Sequence, residues 1–162
     1  MNINFSVRSL IMADVPAILS IMREARREYG LEGRVASLLE PSDLALYQTY
    51  SFPRACYFVV VNSDLVVGGA GIAPLGEQAP SVCELQRMYL DPSFRRKGAG
   101  AALLDACIAG ARERSFTHCY AETIAEMSGA LKFYSKHGFQ RLNAPYGNTG
   151  HSHNDCWLLR NL

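Results

Sequence analysis

The stretch Ser81–Arg114, SVCELQRMYLDPSFRRKGAGAALLDACIAGARER, decides how the rest of the chain is read. Val82 to Leu90 has the apolar content of a strand, and Asp91-Pro92 ends it. From about Gly98 to Arg114, Leu104, Cys107, Ile108 and Ala111 recur at helical spacing. Between them lies a short basic, glycine-rich loop, Arg95-Arg96-Lys97-Gly98-Ala99-Gly100-Ala101. A loop of small residues entering the first turn of a helix exposes backbone N–H groups and the positive end of the helix dipole. That is an anion site, and phosphate or pyrophosphate is its natural ligand.

The totals restrict the field for such a ligand. The 162 residues are 49% hydrophobic and 19% charged, with a net charge of +1. These values predict one globular domain, residues 1–162, with a sizeable core. No global field attracts nucleic acid, so anion recognition has to be local. The start, MNINFSVRSL, has no leader pattern, and no apolar run approaches the roughly 20 residues that span a bilayer. The five cysteines, Cys56, Cys83, Cys107, Cys119 and Cys156, form no C-x-x-C pair. They read as free thiols in a reducing, cytoplasmic compartment.

Along the chain, Ile3, Phe5 and Val7 alternate as in a half-buried strand. Asp14 and Pro16 predict a helix start, with Val15, Ile18, Leu19 and Met22 on its buried stripe. Gly30 and Gly33 break that helix, and a second short helix is expected from Ser42 to about Tyr50. Cys56–Val61 and Leu65–Ile72 form a hairpin about Asn62-Ser63-Asp64. Gly68, Gly69 and Gly71 within it signal close approach of another backbone or ligand, or a bulge. After the central stretch, Thr117–Thr123 is a strand. A helix follows to His137, opened by a capping box of Thr123 and Glu126 and closed by Gly138. Phe139–Leu142 and Asp155–Leu159 are the last strands. The order β-α-α-β-β-β-α-β-α-β-β predicts an α/β domain with a mixed sheet.

Three phosphate-loop types can be tested against the central loop. The P-loop places its lysine after the glycines, and here Lys97 precedes them. The dinucleotide fingerprint requires Gly or Ala where Leu103 stands. The pattern R/Q-x-x-G-x-G/A is met by Arg95, Gly98 and Gly100. This segment resembles motif A of the GCN5-related N-acetyltransferase superfamily. Ala130-Leu-Lys-Phe-Tyr-Ser-Lys-His-Gly-Phe139 is similar to the next motif, A-x-x-x-Y-x-x-x-G-F. The element order matches that superfamily's fold nearly from end to end.

The resemblance implies a central, mostly antiparallel twisted sheet of about seven strands with four helices, splayed where acetyl-CoA binds. Met88, Tyr89 and Leu90 would meet the pantetheine arm. Arg95, Arg96, Lys97, Gly98, Ala99, Gly100 and Ala101 would surround the pyrophosphate. Amine acetylation requires a base, because an ammonium has no lone pair, and the departing thiolate benefits from an acid. Glu84 matches the superfamily's glutamate base, six residues before Leu90. By period two it shares a face with Gln86, Met88 and Leu90 unless a bulge intervenes. A water chain could replace it, or Glu84 could instead pair with Arg87. Tyr134 matches the tyrosine near the thioester sulfur and is the acid, although it also falls on a packing stripe with Met127, Ala130 and Leu131. A backbone N–H near Leu90 would meet the oxyanion. By the same analogy Tyr29 and Arg34 form one wall of the acceptor site, and Tyr146, Asn148, His151 and His153 the other. His151, His153, Asp155 and Cys156 resemble a metal cluster in composition but lack a second ligand pair, so no metal is expected.

The implied activity is transfer of an acetyl group to a primary amine of a small or amino-acid-like acceptor, by direct attack in a ternary complex. A protein N-terminus or lysine as acceptor, a longer acyl group, and a non-catalytic acyl-CoA sensor are the alternatives. No nucleic-acid or membrane partner is expected, and a homodimer is compatible with the sequence.

Overall fold

In a computed structural model, residues 5–30, 42–147, 149 and 154–162 are described. The elements run β1 (Ser6–Ser9), α1 (Val15–Glu28), α2 (Asp43–Thr49), β2 (Cys56–Asn62), β3 (Leu65–Pro74), β4 (Val82–Leu90), α3 (Ala99–Glu113), β5 (His118–Thr123), α4 (Ser128–Lys136), β6 (Gln140–Leu142) and β7 (Cys156–Asn161). The strands form one seven-stranded sheet, ordered β1-β2-β3-β4-β5-β7-β6. Every neighbouring pair is antiparallel except β4 and β5, which α3 connects as a parallel pair. The α/β class, the mostly antiparallel sheet and, among the described residues, the four α-helices are as the resemblance implies.

Two apolar cores lie on the two faces of this sheet. On one, Leu103, Leu104, Cys107, Ile108 and Ala111 of α3 pack against Val60, Val67, Cys83 and Leu85. On the other, Val15, Ile18, Leu19 and Met22 of α1 pack with Leu46, Tyr50, Tyr57 and Val59. Each buried leucine- or isoleucine-sized side chain contributes about 1.5–3 kcal/mol. Matching the helical stripes to the alternating strands is therefore what fixes α1 and α3 on opposite sides.

Local differences from the sequence reading have physical causes. Asp14 does not cap α1 with its side chain. It forms a forked pair with Arg8 of β1 (2.7 and 2.8 Å) and accepts from Ile11 N (2.9 Å). A charged bidentate partner outcompetes a helix N–H. Thr123 and Glu126 do not cap α4, which starts at Ser128. Thr123 instead ends β5, paired with Cys156, and its Oγ1 lies 3.6 Å from Met127 Sδ. The expected end of α4 does form at Gly138, with φ +82°, and the helix expected from Ser42 is capped there by its Oγ, which accepts from Ala45 N. The predicted strand residue Ile3 lies outside the described residues.

The largest departure is in β4. Gly69 pairs with Tyr89 and Gly71 with Gln86, so two steps along β3 face three along β4. One extra residue is inserted, and Arg87 takes a left-handed conformation with φ +51°. This is a β-bulge, and it reverses the facing of every residue after it. Glu84 and Gln86 face α1 and α2, and Tyr89 joins them there by packing on the Tyr57 core. Met88 and Leu90 pack on the α3 side instead. The single face shared by Glu84, Gln86, Met88 and Leu90 is thus corrected to two.

Candidate active site

β4 and β5 pair only over Val82–Leu85 and His118–Ala121. Beyond that point β4 continues to Leu90 along β3, while β5 continues to Thr123 along β7. The two central strands therefore diverge, and the β5-facing backbone edge of Gln86–Leu90 has no strand partner among the described residues. Such an edge suits an extended, amide-bearing ligand.

The glycine-rich loop stands at the open end of this cleft. A 3-10 turn, Pro92–Phe94, leads into it, with Asp91 Oδ1 accepting from Ser93 N (2.8 Å). Arg96 (φ +59°) and Gly98 (φ +94°) are left-handed, which turns the chain into α3. The first helical hydrogen bond runs from Ala102 N to Gly98 O (3.1 Å), so the N–H groups of Ala99, Gly100 and Ala101 precede the ladder. A Cβ on Gly98 would meet nothing within 4 Å, which leaves open space above the loop. At Gly100 it would come 3.2 Å from Leu90 Cδ1, so this residue brings α3 close to the end of β4. Backbone donors, open space and basic neighbours together fit a pyrophosphate.

Arg95 departs from its expected place. Its guanidinium forms two 2.7 Å contacts with Glu28 near the end of α1, and its Nε donates to Leu90 O (3.3 Å). The side chain is thus a clamp between α1 and the end of β4. Arg96 and Lys97 are the exposed cations of the loop, with Lys97 Nζ 5.7 Å from the centre of the Phe94 ring.

Tyr134 lies on α4, 8% exposed, among Phe133, Phe139 and the α3-side core. Its Oη is 4.0 Å from Met88 Sδ, which places the phenol beside the bulged part of β4. Burial pushes this phenol well above its ordinary value, so it holds its proton throughout the physiological range.

Glu84 is 6% exposed, on the face toward α1 and α2. It accepts from Gln86 Nε2 (2.6 Å), and Gln86 Oε1 accepts from Tyr50 Oη (3.1 Å). Cys83 points to the opposite face and is buried there, as alternation predicts. Glu84 pairs in register with Tyr120 of β5, so Tyr120 and Glu122 share its face. Tyr120 Oη donates to Glu122 Oε1 (2.7 Å). Glu122 also accepts from Thr149 Oγ1 (2.9 Å) and Asn154 Nδ2 (3.0 Å), while Tyr146 N donates to Tyr120 Oη (3.2 Å). Glu122 and Tyr120 thus hold Tyr146, Thr149 and Asn154. Neither was singled out from sequence, although alternation along β5 puts both on one face.

The three glycines of β3 are explained by the bulge. A Cβ on Gly71 would fall 2.5 Å from Tyr50 and 2.6 Å from Tyr57, and one on Gly69 would also collide with Tyr57. Both tyrosines cross the strand at these positions, and Tyr57 Oη donates to Arg87 O at the bulge (3.0 Å). Gly68 makes room for Leu90 and the Tyr89 carbonyl.

Of the expected acceptor residues, Tyr29 caps the C-terminal end of α1. Arg34, Asn148, His151 and His153 lie outside the described residues. Among the described residues no group of three His, Cys, Asp or Glu is placed to hold a metal ion. Nor is any described helix long and apolar enough to cross a membrane.

Residues 18–139 match the model of the acetyltransferase (GNAT) family. The uncharacterized N-acetyltransferase YjgM of Escherichia coli (strain K12) is 39% identical over 157 residues, covering 96% of this chain and 94% of that protein. A GNAT-family acetyltransferase from Staphylococcus aureus Mu50 superposes with a TM-score of 0.84 at 18% identity, over 98% of this chain and 99% of the other. The PaiA N-acetyltransferase of Thermoplasma acidophilum, solved with coenzyme A, gives 0.79 at 15%, over 98% and 99%. The divergent β4 and β5 and the loop at their mouth belong to the fold that these structures share. The chain belongs to the acetyltransferase (GNAT) family.

Proposed function

We propose that this N-acetyltransferase acetylates a primary amine of a small or amino-acid-like acceptor, with Glu84 as base and Tyr134 as acid. As a family member it uses acetyl-CoA, which supplies the activated acetyl group when bound. The observation that carries the reading is the divergence of β4 from β5, with Glu84 on one sheet face and Tyr134 packed on the other.

The amides of Ala99, Gly100 and Ala101 and the loop of Arg96, Lys97 and Gly98 would hold the pyrophosphate. Met88–Leu90 would align the pantetheine with their free backbone edge. An acceptor arriving from the α1–α2 side meets Glu84, Arg87, Tyr120 and Glu122. Carboxylates there favour an incoming ammonium, and Arg87 offers a partner for a carboxylate on an amino-acid-like acceptor. Glu84 takes the ammonium proton, directly or through one water, and frees the lone pair for attack. Tyr134 holds a proton at Oη for the departing sulfur. Because attack is direct, no residue has to carry the acetyl group, consistent with Cys83 facing the α3 core.

The test is a panel of small amines, polyamines and amino acids incubated with acetyl-CoA while free thiol is followed. Acceptor-dependent thiol release is expected. Glu84→Gln should lower it by about 100-fold or more, within the range for general-base loss. Tyr134→Phe should lower it about 10-fold with acetyl-CoA affinity unchanged. Release that is equal in wild type and both variants would remove the two assignments.

A further inference from the structure

Tyr50 and Gln86 have no part in the chemistry above, yet they form a directed chain that ends on Glu84. Tyr50 follows α2 and is 7% exposed, with its ring 4.8 Å from that of Tyr57. Burial raises its phenol well above the ordinary value, with Arg87 acting in the opposite sense. It is therefore a hydroxyl donor at any working pH, and its proton goes to Gln86 Oε1 at 3.1 Å. An amide has one oxygen and one NH2. With its oxygen toward Tyr50, Gln86 turns its NH2 to Glu84 Oε2 at 2.6 Å.

This arrangement is not explained by packing alone. β3 gives up its side chain at Gly71 so that the Tyr50 and Tyr57 rings can cross it. Buried polar chains are seldom the most stable way to fill a core. We infer that Tyr50 and Gln86 are positioning residues that hold the Glu84 carboxyl group in one orientation. Neither touches the reacting atoms; both act through Glu84. The inference rests on the reading of Glu84 as base.

The physical basis is the directed N–H. The contact from the Gln86 NH2 to Oε2 fixes the rotation of the Glu84 carboxyl group, and orientation of a base is what a transferred proton requires. Without the Tyr50 hydroxyl, the Gln86 amide can rotate and present its oxygen to the carboxylate, which repels it. Among the described residues, other charged or titratable groups on this face are Arg87 at the bulge, Tyr57 and Tyr89 across the bulge, and Tyr120 and Glu122 of β5. Arg87 also acts on the Tyr50 hydroxyl, a contact that Gln86→Met leaves in place.

The experiment is a double-mutant cycle read as kcat in the thiol-release assay, with acceptor KM and urea denaturation measured alongside. Gln86→Met should lower kcat about 10-fold in the wild-type background and leave it unchanged in Glu84→Gln, as for a lost orientation of the base. Tyr50→Phe, which keeps the ring and its packing, should do the same with a smaller loss. A purely structural role would lower stability and carry the loss of kcat into the Glu84→Gln background as well. An unchanged kcat in folded Tyr50→Phe overturns the inference, whatever the stability of Gln86→Met. Failure of the base assignment is read separately, as wild-type thiol release by Glu84→Gln.

Discussion

The two halves of β4 are built from the same kind of residue and do opposite things. Val82–Leu85 is paired on both sides and almost fully buried, and it alternates strictly, Cys83 to one core and Glu84 to the other. Past Arg87 the strand is paired on β3 alone, partly exposed and reversed in facing. The first half is scaffold and presents Glu84 to the face of α1 and α2, the acceptor side in the proposed function. The second half is the proposed ligand edge and puts Met88 beside Tyr134. One inserted residue thus places Glu84, the proposed base, and Met88 with its neighbour Tyr134, the proposed acid, on opposite faces of the sheet. A regular strand would have put Glu84, Met88 and Leu90 together and left Tyr134 facing a different surface.

The sharpest way to separate the halves is at the mouth of the ligand edge. Gly98→Glu strains a φ of +94° and introduces a negative charge into the open space above the loop. Two like charges about 4 Å apart repel by about 4 kcal/mol at an effective dielectric of 20. Acetyl-CoA affinity should fall by at least about 100-fold in calorimetric titration, with the circular dichroism spectrum unchanged. Retained affinity would mean that the pyrophosphate lies elsewhere.

A smaller effect distinguishes the two glycines that serve the two halves. Gly71→Ala drives a methyl into the Tyr50 and Tyr57 rings, and overpacking of this kind costs about 1–3 kcal/mol. Urea denaturation should show that loss, with acetyl-CoA affinity of the folded protein little changed. Gly68→Ala presses on Leu90 and the Tyr89 carbonyl, so it should weaken acetyl-CoA binding instead. If both glycines affect binding equally, the halves of β4 are not independent.

This division also explains what the sequence reveals. The loop motif, the stripes of α1 and α3, the β2–β3 hairpin and the place of Tyr134 on α4 depend on local spacing, and local spacing is visible in a single chain. The bulge is not, because an arginine rather than Gly or Asn takes the positive φ, and Leu85-Gln86-Arg87-Met88 carries no turn signal. The glycines of β3 are its one trace, and they allow several readings. Pairings across long separations were equally hidden. Arg95 meets Glu28 across 67 residues, and Tyr50 meets Gln86 across 36. The Thr123–Glu126 box failed because β5 pairing with β7 held Thr123 in the sheet, a tertiary demand that outweighs a cap worth about 1 kcal/mol.

The Arg95–Glu28 clamp provides the finest test of how the ligand edge is held. Arg95 matches the loop motif, yet its charge is spent on α1 and its Nε on the Leu90 carbonyl. Beside that guanidinium the Glu28 carboxyl is held below its ordinary value. A carboxylate whose folded pKa is depressed stabilises the fold above its unfolded pKa of about 4.5 and loses that contribution as pH falls through the folded value. The Glu28 side chain is 42% exposed, so solvent screening limits the pair to about 0.2–1 kcal/mol. Glu28→Gln should therefore lower stability by that amount at pH 7. The gap from wild type should shrink as the pH is taken below 4. Asp14 beside Arg8 titrates in the same direction, but it does so in both proteins and cancels in the difference. Acetyl-CoA affinity should change by no more than about twofold, the energy of a partial surface contact. A much larger loss would show that the clamp sets the angle of Met88–Leu90 for the pantetheine, and that α1 takes part in forming the ligand edge.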